Sequence, residues 1–257
     1  ALVATNRVLL RGLEPRPGEL LVDMGCGIGA LAVWCAERFG CRVLGVTLCR
    51  EHLPLARRLA RERGVEDRCE FALMDMTRPA LARGGADYAV NLESLCYAPD
   101  KRAYLEEIFA LLRPGGSFSA TAFALGDGEL DEPAERLYRT VRDGFWIPGL
   151  LSRRRVARLL EQVGFEDVVA VDRTAAALPT ARLIRRHSAI PLLLARLRAD
   201  WIPFGRDPAR RRNHRGHFCA GDAFSRGLAS GVFAYCEYRG RKPREAAPGL
   251  EKRTGGA

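Results

Sequence analysis

Short apolar runs alternate with helix-periodic stretches through the first half of the chain. This rhythm predicts repeated βα units and a mostly parallel sheet. Runs of strand length occur at Leu20–Met24, Arg42–Val46, Cys69–Met74, Asp87–Leu92 and Ser117–Ala124. Between them, the spacing predicts helices over Ile28–Phe39, Glu51–Arg63 and Lys101–Leu112. Arg113-Pro114-Gly115-Gly116 then reads as a helix break and a turn into the next strand.

After Ala124 the rhythm changes. Residues 125–150 are rich in Gly, Pro and aromatics and read as a loop-bearing insertion. Ser152 is placed to cap a helix running to about Val163, with Gly164 and a strand near Asp167–Val171 beyond it. A basic stretch, 173–215, precedes a last strand at Gly231–Tyr238, and 241–257 read as a frayed tail. No internal repeat is visible.

With 257 residues, 47% of them hydrophobic and 28% charged, the chain can bury a core and is not a disordered tail. No apolar run reaches the roughly 18 residues that a membrane span needs. The start lacks an initiator Met and a signal pattern, so the expectation is that it begins inside a longer natural chain. Eight cysteines show no CxxC pair and mostly sit in apolar runs, which suggests reduced thiols and a cytoplasmic compartment. The net charge of +10 is unevenly spread. Residues 1–125 carry 16 Lys or Arg against 15 Asp or Glu, whereas 173–215 carry 11 Arg against Asp200 and Asp207. Such a block is either a solvated face or an anion site.

The chemistry begins at Leu20-Leu21-Val22-Asp23-Met24-Gly25-Cys26-Gly27-Ile28-Gly29, an apolar strand running into three alternate glycines and a helix. Glycine allows a sharp turn and close ligand approach. A glycine-rich turn alone also fits a dinucleotide site, but here the strand ends in Asp23 and the spacing is GxGxG. A pyrophosphate is repelled by Asp23, whereas a cationic ligand is not. Later strands end in Thr47 and Leu48, in Asp75 and Met76, and in Asn91 and Glu93. All are carboxyl ends of parallel strands, where open α/β sheets bind ligands.

The segment from Leu20 to Arg57 resembles the first motifs of class I S-adenosylmethionine-dependent methyltransferases. It is most similar to the branch of cyclopropane fatty acid synthases, tocopherol methyltransferases and sterol C-methyltransferases. The resemblance spans about 1–124 well and 140–172 loosely. It implies a Rossmann-like α/β fold, a doubly wound, mostly parallel seven-stranded sheet with an antiparallel last strand and a substrate-capping insertion. It also implies that Asp23, Gly25, Gly27, Gly29, Thr47, Leu48, Asp75, Met76 and Asn91 hold S-adenosyl-L-methionine. In that branch Thr47 often stands where other members carry an acidic ribose ligand. A Gln is common where this chain has His52, so His52 is either a ribose contact or a surface helix residue.

Asn91-Leu92-Glu93-Ser94-Leu95-Cys96-Tyr97-Ala98-Pro99-Asp100-Lys101 is similar to a segment of sterol C-methyltransferases and to the NES-bearing segment of bacterial geranyl diphosphate C-methyltransferases. In those families the matching Glu lies beside the transferred methyl. An alkene that attacks such a methyl becomes a tertiary cation, which needs steadying and then loses a proton. A carboxylate within reach does both. Glu93 is therefore the candidate catalytic base, with a cofactor contact or a helix cap as the alternative. Tyr97 and Trp146 are candidates to face the cation or substrate with a ring.

The basic insertion adds Arg182, Arg185 and Arg186 at helical spacing, the apolar run Ile190–Leu194, and Trp201–Phe204. A prenyl diphosphate suits an apolar wall with guanidinium forks, and Mg2+ would accompany it. His214, His217 and Cys219 lack a fourth ligand for a metal corner. The expectation is one methyltransferase domain over 1–257, with a cofactor core at 1–124 and a substrate cap from 125–150 and 173–230. Methyl transfer to an alkene carbon of an isoprenoid is the expected reaction. An O- or N-methyltransferase of a polar natural product is the alternative. The expected partner is a small-molecule isoprenoid, with a homo-oligomer allowed for. Nucleic acid is not expected, because no NPPY-like motif follows the fourth strand.

Overall fold

The computed structural model describes residues 2–196 and 208–244. The elements are α1 (Leu2–Leu9), β1 (Leu20–Met24), α2 (Ala30–Phe39), β2 (Arg42–Thr47), α3 (His52–Glu62), β3 (Cys69–Leu73), β4 (Ala86–Leu92), α4 (Lys101–Leu111) and β5 (Leu112–Leu125). Then come α5 (Glu132–Gly144), α6 (Arg153–Val163), β6 (Glu166–Asp172), α7 (Thr174–Arg196), α8 (Pro208–Ser230) and β7 (Phe233–Arg241). The seven strands form one sheet in the order β3-β2-β1-β4-β5-β7-β6. Pairing of β1 with β2 and β4, of β2 with β3, and of β4 with β5 is parallel. Lys242 N donates to Gly116 O, and Gly126 N donates to Val232 O. Residue numbers thus rise along β5 as they fall along β7, and β7 is antiparallel, as the resemblance implies.

The chain divides into two compact units, one of residues 1–121, 157–169 and 238–257, the other of 122–156 and 170–237. In the first unit the order reverses between β1 and β4. Right-handed crossovers then put α2 and α3 on one face of the sheet and α4 on the other. The reversal leaves a crevice at the carboxyl ends of β1 and β4. One side buries Leu9, Leu21, Leu31, Val43, Ala56 and Phe71 in a common cluster. Helix α4 buries Tyr104, Leu105, Ile108 and Leu111, and it begins where the Asp100 side chain accepts from Arg102 N and Ala103 N. On the far side of the unit, Phe165 packs edge-on against Phe109. The helix α1 carries no clear start or stop signal. It is tied down from a distance, by Ser119 Oγ donating to Leu9 O.

In the second unit α8 packs against both α5 and α7. Small residues permit the close crossings: a Cβ on Gly144 would lie 2.4 Å from Gly216 O, and one on Gly221 would lie 3.0 Å from Ser188 Oγ. Beside these helices Phe123, Phe224, Phe233 and Tyr235 form an aromatic cluster, with Phe123 and Phe224 at 4.4 Å. Glu237, fully buried, receives Arg173 at 2.7 Å.

Three expectations need correction. Residues 125–150 contain the thirteen-residue helix α5 rather than only loops. Asp131 caps it by accepting from Ala134 N, Pro133 sits in its first turn, and Glu132–Arg136 and Glu135–Arg139 pair along it. Helix α4 ends at Leu111 as expected, but Arg113–Gly116 forms a bulge in β5 rather than a turn ahead of it. This segment is held inside β5, because Gly115 N donates to Lys242 O and Lys242 N to Gly116 O. The start of the expected tail is anchored for the same reason, and Lys242 Nζ also donates to Phe109 O and Leu112 O. Residues 245–257 lie outside the described residues, as do 197–207, including Trp201–Phe204. The described parts of the basic stretch are helical, in α7 and α8.

Candidate functional site

The glycine turn after β1 is bound to β2 by Gly25 N and Cys26 N, both donating to Val46 O. Gly25, Gly27 and Gly29 have φ of 90°, 53° and 79°, conformations that cost a side-chain-bearing residue about 1–2 kcal/mol. Their surroundings differ. A Cβ on Gly25 would lie 2.4 Å from Ser94 Oγ, and one on Gly29 would lie 2.8 Å from Phe71. At Gly27 nothing lies within 4 Å. Two glycines therefore serve close packing, and the middle one faces open space.

Beneath this turn sits Asp23, 1% exposed, with neither carboxylate oxygen hydrogen-bonded. Burial pushes its carboxyl up to about 7. An unpartnered buried carboxylate is costly unless a cation or donor completes it. Half-buried His52, the first residue of α3, carries a buried Nδ1 that likewise lacks a hydrogen-bond partner. Thr47, at the end of β2, is buried and accepts from Cys49 N, while Leu48 is exposed. At the end of β3, the exposed Asp75 accepts from Thr77 N and Thr77 Oγ1. Buried Met76 brings its sulfur within 3.4 Å of the Cβ position of Gly25. These residues share the carboxyl ends of adjacent strands. The cradle fits the cofactor that the resemblance implies. Asp23 would offset its cationic end, the space at Gly27 would admit its backbone-close portion, and Met76 would pack an apolar face.

Asn91 is placed differently from the expectation. Its Nδ2 donates to Met24 O at 3.2 Å and to Tyr104 Oη at 2.6 Å, and its Oδ1 accepts from Ser94 N and Leu95 N. With both donors and both acceptor directions engaged inside the fold, it positions the site rather than touching a ligand. Ser94 Oγ also donates to Met24 O. The segment 91–95 is thereby fastened to the end of β1, and Glu93 lies within it. Glu93 N donates to Thr121 O at 2.8 Å, and its φ is 58°. A non-glycine residue held left-handed between pinned neighbours is a locus of strain, a feature that clusters at functional sites. Its side chain is exposed at the mouth of the crevice.

Tyr97, four residues further on, is half-exposed. Burial, then Cys96, then the nearby Glu93 charge push its hydroxyl up. The short helical turn Leu95–Tyr97 is closed by buried Lys101, whose Nζ donates to Cys96 O and Ala98 O. Ser94, Tyr104 and Lys101 are the supporting residues that sequence reasoning missed. None of the three carried a local signal of that role, since Lys101 stands between Asp100 and Arg102 in the sequence.

In the second unit the structure does not gather Arg182, Arg185 and Arg186 into one fork. Arg185 pairs with Asp222 at 3.3 Å, an acid that Arg226 also holds, whereas Arg182 and Arg186 are exposed on α7. A cavity of about 230 Å³ in this unit is lined by Thr140, Leu192, Arg215, Cys219, Asp222 and Arg226. Trp146 is exposed with a φ of 52°, while its neighbour Phe145 packs on His217 at 4.9 Å. Among the described residues, no group of His, Cys, Asp or Glu is arranged to hold a metal ion. None of their helices is long and apolar enough to cross a membrane.

Comparison with known proteins agrees with this fold. A family described as "Methyltransferase domain" matches residues 21–116. An O-methyltransferase of Pyrenophora dematioidea is 30% identical over 66% of this chain and 64% of its own length. A 24-methylenesterol C-methyltransferase 2 of Oryza sativa subsp. japonica is 30% identical over 62% of this chain and 45% of its own. The chain thus spans less than two thirds of these curated relatives. The solved structure of a geranyl diphosphate methyltransferase in complex with SAM is 25% identical, covers 93% of this chain and 84% of its own, and superposes with a TM-score of 0.73.

Proposed function

We propose that this chain, which belongs to the class I S-adenosylmethionine-dependent methyltransferases in the branch of the sterol, tocopherol and geranyl diphosphate enzymes, transfers a methyl group to an alkene carbon of an isoprenoid. The observation that carries the reading is Glu93, a carboxylate held in left-handed backbone at the end of β4, beside the glycine turn and the buried Asp23. S-Adenosyl-L-methionine, when bound, supplies an electrophilic methyl on a sulfonium. Asp23, the backbone at Gly25 and Gly27, Thr47, His52, Asp75 and Met76 are the residues that would hold it.

Bond formation from an alkene carbon to that methyl, as the methyl–sulfur bond breaks and its electron pair stays on sulfur, would leave a tertiary cation on the neighbouring substrate carbon. Glu93 steadies this charge through space, then takes a proton from the adjacent carbon and restores a double bond. The ring of Tyr97 offers a π face to the same charge. Asn91, Ser94 and Tyr104 act through Glu93, by fixing its backbone. An isoprenyl diphosphate, with Mg2+ as its counterion, is the preferred acceptor. An oxygen acceptor is the second reading, because a relative equal in identity bears an O-methyltransferase name. There, Glu93 would deprotonate a hydroxyl.

Incubation with S-adenosyl-L-methionine and a panel of prenyl diphosphates, with and without Mg2+, tests the proposal. A product heavier by one methylene unit supports it. No product from any panel member, using protein that binds the cofactor, overturns the prenyl diphosphate assignment.

A further inference from the structure

Helix α7 has two unlike faces. Its inner face is small and buried: Ala181 O accepts from Ser225 Oγ of α8, and Ser188 lies against Gly221. The opposite face is exposed and mixes aliphatic with basic side chains. Leu183, Ile190 and Leu193 are 53%, 67% and 55% exposed, and at 100° per residue they fall on one side of the helix together with Arg182, Arg186 and His187. Exposed aliphatic side chains interleaved with basic ones on one side of a helix mark an interaction surface. Its charge is one-sided. No Asp or Glu occurs anywhere from Arg173 to Ala199, a stretch holding six arginines. The nearby acid of α8, Asp222, is engaged by Arg185 and Arg226 away from this stripe.

We propose that this face of α7 is a peripheral docking surface for an anionic lipid bilayer. Leu183, Ile190 and Leu193 enter the boundary between headgroups and acyl chains, and Arg182 and Arg186 meet lipid phosphates. The pattern of aliphatic side chains interleaved with arginines is the one that lies in a membrane interface, where the guanidinium reaches up to phosphate as its methylene stem stays among acyl chains. A second copy of the chain is a poor occupant. A two-fold contact would set Arg182 and Arg186 against their own counterparts without an acidic residue on the face to offset them. The inference is independent of which acceptor is methylated.

Vesicle flotation of the full chain tests it, with phosphatidylcholine alone compared with phosphatidylcholine containing one third phosphatidylglycerol. Each arginine near an anionic surface accounts for roughly a fivefold gain in partitioning. The full chain is therefore expected to float at least about tenfold better with the anionic vesicles, and this advantage is expected to collapse in high salt. Leu183→Asp with Ile190→Asp is expected to abolish flotation while leaving the melting temperature and cofactor affinity intact. Should that variant fail to fold, Arg182→Gln with Arg186→Gln reads the electrostatic half alone. Three results would overturn the proposal: equal flotation on both vesicle types, flotation unchanged by the substitutions, or no flotation together with a concentration-dependent dimer that Leu183→Asp dissociates.

Discussion

Replacing Asp23 with Asn probes the site at its most exposed energetic weakness. The carboxyl is buried without a hydrogen-bond partner and is raised from 3.8 to about 7. Because the folded value lies above the unfolded one, the folded protein keeps this proton between pH 4 and 7 after the unfolded chain has lost it. Asp23 therefore makes stability fall as pH rises through that window. The full difference corresponds to about 4 kcal/mol, at 1.36 kcal/mol for each factor of ten. An asparagine of the same shape does not titrate, and its own unpaired amide adds a cost that is constant with pH. Urea titrations of ligand-free protein at pH 4, 6 and 8 should show the stability difference between Asp23→Asn and the parent growing in the variant's favour by about 4 kcal/mol from the lowest pH to the highest. Other carboxylates titrate alike in both proteins and cancel. In calorimetry at pH 8, the same variant should bind S-adenosyl-L-methionine at least about tenfold more weakly, because the cofactor's cationic end loses the ionised carboxylate. Parent affinity should rise from pH 5 to 7 and then level. A stability difference that stays flat with pH, in a variant that binds the cofactor normally, would refute the reasoning.

Four further substitutions separate the roles assigned above. Glu93→Gln should lower turnover by about 10²–10⁴ while cofactor affinity stays within about twofold; near-normal turnover would remove Glu93 as the base. Asn91→Leu should cost about 3 kcal/mol or more in urea unfolding, because two backbone N–H groups and a buried tyrosine hydroxyl lose their partner together. Turnover should fall with it, and an unchanged stability would argue against the clamp on Glu93. Gly25→Ala should destabilise the protein strongly through its clash with Ser94. Gly27→Ala, facing open space, should cost only about 1–2 kcal/mol of backbone strain yet weaken cofactor binding. Equal stability losses in the two alanine variants would contradict the distinct roles of these glycines.

The first half of the fold was legible because each strand there is an apolar run of its own, bounded by glycine or a cap. β1 lies at Leu20–Met24 as the pattern places it, and β2, β3 and β4 fall within a residue or so of their expected bounds. Local signals did not reach α5, whose glycine- and proline-rich flanks masked an amphipathic helix with paired charges. Nor did they reach α1 or Lys242, which are fixed by contacts with residues more than a hundred positions away. The site divides along the same line. Glycine turns and strand-end acids are written locally, so Asp23, Gly27 and Glu93 could be singled out. The strain at Glu93 and the full engagement of Asn91 depend on β1, β5 and α4 meeting in space, and no spacing rule reports that. The three arginines of α7 share helical spacing, but only the position of Asp222 shows that Arg185 is drawn away from the other two.

The most direct test of carbon methylation is the position of the label after turnover with methyl-13C S-adenosyl-L-methionine and the preferred prenyl diphosphate. Carbon-13 NMR should place the new methyl on a former alkene carbon, in the aliphatic region and coupled to a carbon neighbour in doubly labelled product. Deuterium at the adjacent carbon should be lost as Glu93 removes it. A labelled methyl in the methoxy or N-methyl region, with that deuterium retained, would contradict the account and assign Glu93 to a heteroatom acceptor.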